Sequence, residues 1–565
     1  MSLYGSIQMA GNTLQAMQIG LHVVGNNIAN ANTPGYARER TVFATAPTQK
    51  IGNITLGLGV QVKGIVQGVD KFLESRLRDA GGDRASAAIQ DTAYGELESI
   101  LGELTDTDVS TALSNFFSSV NNIVDDPADK AVRNLAAQSG KTLATTINTL
   151  AGRVKTMYQD FGQRVDNLGS EINALTEQIR KLNLQIVTQE GGNGLANEAG
   201  GLRSQRSVAL KRLSEIADVT VNESEAGASN ITIGGEFLVF EATRREVKTD
   251  FSSQDGLKSA TLKFADTNSK LVVGSGELHG LYEARDTVVK GFLDKLDGFA
   301  GTLASEFNRV YSQGQGSTGF SSVSSQEAVS SSTVPLDAAG LAVAPQHGTF
   351  DVQLYNTRTK LTQTKTIHVN LNGLTDDSTL KSLAADINSI DGIAAEVTSD
   401  NRLKIRAESG ETTVAFGKDT SGALASLGIN TFFTGSTAAG LGVNGVVLAD
   451  GSKFAGALGG VGVDVGNVLK LVGLNDAGLT GLGGDTITGA YDQLVNDVSQ
   501  GATVAKSVKS GFETFEATLE ANAQAVSGVN LDEEAVDLIL LQRTYQASAK
   551  FISTISDLLD VLVKL

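Results

Sequence analysis

The chain has 565 residues, 45 of them basic and 63 acidic, and no cysteine. The length exceeds one ordinary hydrophobic core and predicts roughly three or four domains. A formal charge of -18 argues against a nucleic-acid surface, and the lack of cysteine excludes disulfides, thiol catalysis and cysteine-ligated zinc.

The opening "MSLYGSIQMAGN" has neither the basic start nor the continuous apolar stretch of a secretory signal. No run of about 18 apolar residues is present, so no membrane insertion is expected. Residues 1–37 carry no charge at all, and Arg38 is the first. Leu3, Ile7, Ala10, Leu14, Met17, Leu21, Val24, Ile28 and Ala31 recur at alternating steps of four and three, the pattern of a coiled-coil seam. Burying such a seam contributes on the order of 10 kcal/mol. Fixing the backbone costs about 1–2 kcal/mol per residue, offset only in part by helix hydrogen bonds. The segment is therefore expected to be helical only against a partner. It closes with "NNIANANTPGYARER", where Asn26, Asn27, Asn30 and Asn32 give polar edges without charge and Pro34–Gly35 ends the helix.

Gly57 to Val69 alternates like a strand or hairpin, and the pattern from Lys71 to Ile216 is helical. Asp126–Pro127 reads as a helix start. A further heptad seam runs from Val154 through Phe161, Ile172 and Ile179 to Ile186, and "GGNG" at 191–194 ends it. Short strands are expected over 219–275 and a helix from Leu278 to Tyr311. Residues 312–334, rich in Ser and Gly, read as a linker. Phe350, Val352 and Leu354 alternate, as do Ile367, Val369 and Leu371, which predicts a hairpin. Leu380, Leu383, Ile387 and Ile390 suggest a short helix, and Val397 with Leu403 and Ile405 a second strand pair. The stretch 434–484 is Gly-rich and irregular, and helix resumes near Asp485. At the far end Asn530 and Glu533 read as a capping box. Leu538, Leu541, Tyr545, Ser548, Ile552, Ile555, Leu559 and Leu562 form a second long seam, widened by Phe551, Leu558 and Leu565.

The expected class is therefore α+β multidomain. Residues 1–37 and 525–565 would pair as terminal coiled-coil helices. Residues 38–218, 276–315 and 485–524 would form a helical bundle. Residues 219–275 would be a small β subdomain, and 316–484 an inserted β-rich outer domain.

Chemistry finds little foothold. The four histidines, His22, His279, His347 and His368, show no metal-ligand spacing. No nucleophile elbow, zinc-protease or P-loop motif occurs. "TDTD" (Thr105 to Asp108) lacks the Gly and distal Glu of a calcium loop and reads as helix capping. "GLGGD" (Gly481 to Asp485) occurs once, where calcium-binding repeats need stacked copies, and reads as a linker. Asp532 and Glu533 complement a helix N-terminus rather than form a catalytic pair. No catalytic, metal or cofactor site is expected.

"NNIANANTPGYAR" (Asn26 to Arg38) resembles the N-terminal motif of the bacterial flagellar axial proteins, the rod, hook and hook-associated proteins. Three further stretches are similar to the hook–filament junction branch of that family. They are "GLGVQVKGIVQGVDKFLESRLRDA" (Gly57 to Ala80), "DDPADKAVRNLAAQSGKTLATTIN" (Asp125 to Asn148) and "SGVNLDEEAVDLILLQRTYQASAKFISTISDLLDVL" (Ser527 to Leu562). The matches cover about half the chain; 316–484 is less similar. The resemblance implies a structural, non-enzymatic protein without cofactor. It implies export through the growing flagellum without a cleaved signal, to an extracellular position between hook and filament. The implied partners are sister copies, hook protein, a second hook-associated junction protein, and a cytoplasmic export chaperone at the C-terminal region.

The candidate assembly interface comprises Leu3, Ile7, Leu14, Met17, Leu21, Val24, Asn26, Asn27, Ile28, Asn30, Gly35 and Tyr36 at one end. At the other it comprises Leu538, Leu541, Tyr545, Ile552, Ile555, Leu559 and Leu562. Rival readings are hook or distal rod protein, an extracellular adhesin-like module in 316–484, and a muralytic or proteolytic enzyme. The long helical region 71–216 speaks against the first. A surface aromatic cluster or deep polar pocket would favour the second, and converging carboxylates or histidines the third.

Overall fold

A computed structural model describes residues 3–51, 54–102, 108–191, 198–254, 256–374 and 376–564. The chain opens with helix α1 (Leu3–Asn30). Gly35, in the turn that follows, has φ +73°, and a Cβ there would overlap Val208, so the turn admits only glycine without strain. Strands β1 (Glu39–Thr45), β2 (Thr48–Ile51), β3 (Ile54–Gly57) and β4 (Val60–Gln67) form two nested antiparallel pairs, β1 with β4 and β2 with β3. β1 alternates between half-buried and exposed residues on either side of an irregularity at Val42/Phe43, where its register with β4 shifts.

Helices α2 (Lys71–Gly102), α3 (Val109–Asp125), α4 (Lys130–Glu190) and α5 (Gly200–Ile216) follow. Asp108 caps α3, its carboxylate accepting the Thr111 N–H at 2.6 Å; Thr105 to Thr107 lie outside the described residues. The start expected at Asp126–Pro127 is one turn early. Asp126 instead closes α3, and Asp129 opens α4 by accepting the Ala131 N–H at 2.7 Å. Pro127 serves differently: its carbonyl accepts Nε of the buried Arg133 at 3.0 Å. The seam of α4 is buried at Val154, Phe161, Val165, Ile172, Ile179 and Ile186. Most of "GGNG" lies outside the described residues.

Strands β5 (Val219–Glu223), β6 (Ser229–Ile233), β7 (Glu236–Phe240) and β8 (Thr243–Arg244) make a four-stranded antiparallel meander. β9 (Val247–Gln254) and β10 (Leu257–Phe264) form a hairpin. Helix α6 (Gly276–Glu283) passes through a π-helical segment, Ala284–Val289, into α7 (Lys290–Tyr311). After β11 (Ser322–Ser324) come β12 (Gly348–Asn356), β13 (Thr362–Val369), α8 (Leu380–Asn388), β14 (Ile393–Val397), β15 (Leu403–Ala407) and β16 (Thr412–Gly417). They build two three-stranded sheets, β13-β12-β16 and β11-β15-β14. The short helix α9 (Ala423–Ser426), the pair β17 (Phe433–Thr434) and β18 (Gly442–Val443), α10 (Gly445–Ala449) and α11 (Gly466–Gly473) complete the irregular stretch. The chain ends in α12 (Ile487–Ser527) and α13 (Leu531–Lys564).

The chain divides into two compact units, one of residues 1–93, 159–287 and 503–565, the other of residues 94–158 and 288–502. In the first, α1 packs along α13 and against β1 and β4. In the second, Phe116, Phe307, Tyr311, Phe432, Phe433 and Phe454 form one aromatic core, with neighbouring ring centroids 4.8–6.0 Å apart. A separate aliphatic core lies between the two three-stranded sheets and α8, around Phe350, Val352, Ile367, Leu383, Leu403 and Ile405.

Residues 312–334 are not a free linker. Ser312, Gln315, Phe320 and Ser325 are buried, and β11 pairs with β15. The glycines that suggest flexibility serve close approach instead: a Cβ on Gly314 would overlap the Asn467 amide and the Ala455 carbonyl. The α+β multidomain class, with long helices at both ends and small sheets within, is the architecture observed.

Candidate assembly interface

The two chain ends meet as an antiparallel helix pair. Gly20 faces Leu541, whose Cδ1 would lie 3.2 Å from a Cβ built on the glycine. One heptad further along, Asn27 donates to Glu534 at 3.0 Å. The buried stripe of α1 runs through Ala10, Ala16, Met17, Gly20, Val23, Val24 and Asn27. Leu3, Ile7, Leu14 and Leu21 are half-buried, and Ile28 is exposed. The buried face of α1 is thus smaller in side chain than the heptad of large residues implies. On α13, Ile555 is buried, Leu538, Leu541, Ile552 and Leu559 are half-buried, and Tyr545 is exposed. The helix runs through Leu562, whose side chain lies outside the described residues.

The Asn-rich end of α1 forms a polar clasp with the start of α13. Asn27 is 1% exposed and its amide is saturated. Its Nδ2 donates to the Glu39 carbonyl at 2.9 Å and to Glu534 Oε2 at 3.0 Å. Its Oδ1 accepts the Glu39 N–H at 3.0 Å and the Tyr36 hydroxyl at 2.9 Å. An asparagine offers two donors and two acceptors without charge, which an aspartate cannot. Asn26 donates to the Tyr36 hydroxyl at 3.3 Å, and Asn30 folds back onto Asn26, 2.9 Å from its carbonyl. Asn32 is exposed. The asparagines expected to face neighbouring molecules therefore begin, at Asn27 and Asn26, as bonds within the chain.

Arg38 supplies the clasp's cation. Its Nε donates to Glu534 Oε1 at 2.6 Å, and its Nη atoms reach Glu533 at 3.1 Å and Asp537 at 3.4 Å. Its backbone is held as well: its N–H donates to the Ser527 carbonyl and its carbonyl accepts the Gly68 N–H, both at 2.9 Å. Glu534, 1% exposed, is thus neutralised and hydrogen-bonded on both oxygens. Glu533, expected to close a capping box with Asn530, turns to Arg38 instead, and the Asn530 side chain accepts the Asp532 N–H at 3.0 Å alone. Burial, with the charges of Glu39 and Glu534, pushes the Tyr36 phenol well above its ordinary value. Burial likewise raises Glu39, against the opposing hydrogen bond from Asn26.

Beside the clasp, a polar cavity of about 240 Å³ is lined by Gly35, Gln67, Arg203, Arg206 and Glu223 among others. Its cations are matched internally. Arg203 donates to Glu190 at 2.7 Å and to Glu223 at 2.5 Å, and Arg206 to Asn183 at 2.9 Å. These pairs tie α4, α5 and β5 together. Among the described residues no group of three or more His, Cys, Asp or Glu is placed to hold a metal, and no helix is long and apolar enough to cross a membrane.

The contribution of Glu534, Arg38 and Glu39 to this site is not marked by any local motif. Its traces in the sequence are that Arg38 is the first charge of the chain and that Asp532 to Glu534 crowd the first turn of α13.

The same segments carry the likeness to known proteins. The flagellar basal body rod protein model matches residues 7–36, and the C-terminal model of the flagellar basal body rod FlgEFG proteins matches 521–565. Between them, the model of the flagellar hook-associated protein FlgK helical domain matches 94–323. Flagellar hook-associated protein 1 of Salmonella typhimurium is 25% identical over 99% of both chains. That of Escherichia coli K12 is 24% identical over 99% of both. That of Bacillus subtilis is 22% identical over 100% of this chain and 98% of its own. The flagellar hook junction protein FlgK from Burkholderia pseudomallei shares the fold with a TM-score of 0.50 at 15% identity, covering 80% of this chain and all of that one. Likeness to flagellar hook-associated protein 1 thus runs from end to end, and models of flagellar axial proteins match both ends and the helical region between.

Proposed function

We propose that this chain is a structural subunit of the bacterial flagellum that joins hook to filament, and that it assembles through α1 and α13. The observation that carries the reading is the apolar surface left on α13 once α1 has packed against it. Val536, Leu540, Phe551, Leu558 and Val561 remain 42–65% exposed. Burying side chains of this size would contribute on the order of 5 kcal/mol per copy, a modest amount that becomes decisive when copies repeat around an axis. In this reading the two helices form a coiled-coil innermost layer: Met17, Val24, Asn27 and Ile555 are buried within the chain, and the exposed apolar face of α13 meets sister copies. Residues 38–218, 276–315 and 485–524 act as a helical domain, with 219–275 and 316–484 as β-rich insertions. The neighbours are hook protein on one side and a second hook-associated junction protein on the other. The chain travels extended through the growing flagellum without a cleaved signal, escorted beforehand by a cytoplasmic chaperone at its C-terminal region. Its charge-free, cysteine-free start suits that passage, and its ordering is coupled to assembly.

A strain lacking the chain tests the reading. Hooks that complete while unpolymerised flagellin is shed into the medium are the expected result. Stunted or absent hooks would indicate hook or rod protein instead, and normal filaments would refute an axial role. A chain lacking residues 3–30 that still incorporated into flagella would refute the part assigned to α1.

A further inference from the structure

We propose that the Asn27–Arg38–Glu534 clasp is a register lock. It selects, among pairings of α1 with α13 that differ by whole heptads, the one in which Gly20 faces Leu541.

The two contacts that define the pairing are Gly20 with Leu541 and Asn27 with Glu534. They lie one heptad apart on each helix, in opposite directions. A seven-residue slip therefore returns each apolar stripe to its partner and loses only an end layer. Apart from Asn27, the buried stripe of α1 adds little shape to resist such a slip, since Ala10, Ala16 and Gly20 are small and Met17, Val23 and Val24 are apolar. Uniform apolar seams specify register poorly, and a single buried polar position is the best-attested device that fixes it.

The clasp discriminates in both directions. In one slip Gly20 would face Ser548 and Asn27 would face Leu541. The amide donor that serves Glu534 would then lose its acceptor, and Glu534 would pass beyond the end of α1. In the other slip Glu534 would face Gly20, setting an almost fully buried carboxylate among Met17 and Val23 with no donor. Neither slip lets Arg38 follow, because its backbone is bonded to Ser527 and Gly68 at 2.9 Å each. The cation stands at a fixed point, and only the observed register brings the carboxylate to it. The lock concerns the chain's own ends and is independent of the assembly they enter.

The natural absence of cysteine allows a direct test. In purified full chain, Gly20→Cys with Leu541→Cys reports the observed register, and Gly20→Cys with Ser548→Cys reports a one-heptad slip. A short thiol-to-thiol linker gives internally cross-linked products that separate by gel mobility. With the clasp intact, the first pair is expected to exceed the second by at least about tenfold. Asn27→Leu combined with Glu534→Leu replaces the polar pair by apolar side chains, which preserves packing. It should bring the slipped product to within about threefold of the other. Arg38→Gln, which leaves the seam untouched, should shift the ratio the same way by a smaller factor. A double-leucine chain that kept the tenfold preference would overturn the proposal. So would loss of both products in that chain, which would make the clasp a source of stability rather than of register. An Arg38→Gln ratio equal to that of the intact clasp would overturn the part given to Arg38.

Discussion

Replacing Asn27 by alanine removes all four hydrogen bonds of the clasp's central amide at once. The four partners are not equally injured. The Glu39 backbone and the Tyr36 hydroxyl are half-buried and can recover water, whereas Glu534, at 1% exposure, cannot. It keeps only its bond to Arg38, whose side chain is 28% exposed and has Glu533 and Asp537 as further partners. A typical lost hydrogen bond costs about 1 kcal/mol, and a buried unsatisfied partner about 1–3 kcal/mol. With solvent recovery at three of the four positions and a stranded carboxylate at the fourth, the net loss should be about 2–3 kcal/mol. That loss falls on the local opening of α1 from α13. Amide hydrogen exchange in the full chain should show α1 from Ala16 to Ile28 exchanging about 30- to 150-fold faster than in the unmodified chain. The aromatic core around Phe432 should be unaffected. Exchange in α1 changed by less than about twofold, or accelerated equally around Phe432, would refute the assignment of the clasp to the terminal pair.

Gly35→Ala should destabilise the first unit by about 1–2 kcal/mol, because the left-handed backbone and the overlap with Val208 both resist a Cβ. Adding Val208→Ala should recover the steric part in thermal unfolding, and no recovery would remove Val208 from the account. Phe432→Ala should cost about 3–5 kcal/mol in denaturant unfolding of the second unit, since the ring is fully buried against Phe116, Phe307, Tyr311 and Phe433. The clasp should loosen in alkali. The Tyr36 phenol is raised in the folded chain, so its contribution is complete below the ordinary value of 10.0 and is lost as pH rises above it. Tyr36→Phe should abolish that alkaline phase in α1 hydrogen exchange. In acid the second unit should show the opposite sign at Asp450. Its bond to Lys130 holds its carboxyl down to about 2 from the usual 3.8, so stability is lost as pH falls between those values and Asp450→Asn should remove that component.

Periodicity located what is repetitive in this chain. The seams of α1, α4 and α13, the β12–β13 hairpin and the short helix α8 were all legible, because burial on one face imposes a period that spacing alone reveals. Two kinds of feature were not. The first is close approach by small residues. Spacing weights large side chains: of the α1 seam it picked out, Ala10, Met17 and Val24 are buried but Leu3, Ile7, Leu14 and Leu21 only half-buried, and it passed over the buried Ala16, Gly20 and Val23. The same blindness turned 312–334 into a linker, although Gly314 is there because Asn467 and the Ala455 carbonyl leave no room for a Cβ. The second is local competition between equivalent signals. Asp126 and Asp129 each suit a helix cap; in the structure Asp129 takes the role, and the Pro127 carbonyl between them is bonded to Arg133.

The asparagine-rich stretch shows why the rest stayed hidden. A charge-free helix end rich in Asn predicts a polar surface that must not carry charge, and that much follows from residue type. What the amide of Asn27 is for depends on Glu534, separated from it by 507 positions. No pattern of spacing links the two. Yet the chemistry constrains the choice from the other side. A buried carboxylate at the start of α13 needs donors, and a helix without Lys or Arg can offer only amides and hydroxyls. Aspartate at 27 would add a second buried anion beside Glu534 and Glu39. Alanine would leave the first unsatisfied, and lysine would place a long cation where Arg38 already reaches. Asparagine is the residue that bonds the acid, ties down the returning strand through both backbone groups of Glu39, and keeps the face of α1 free of charge.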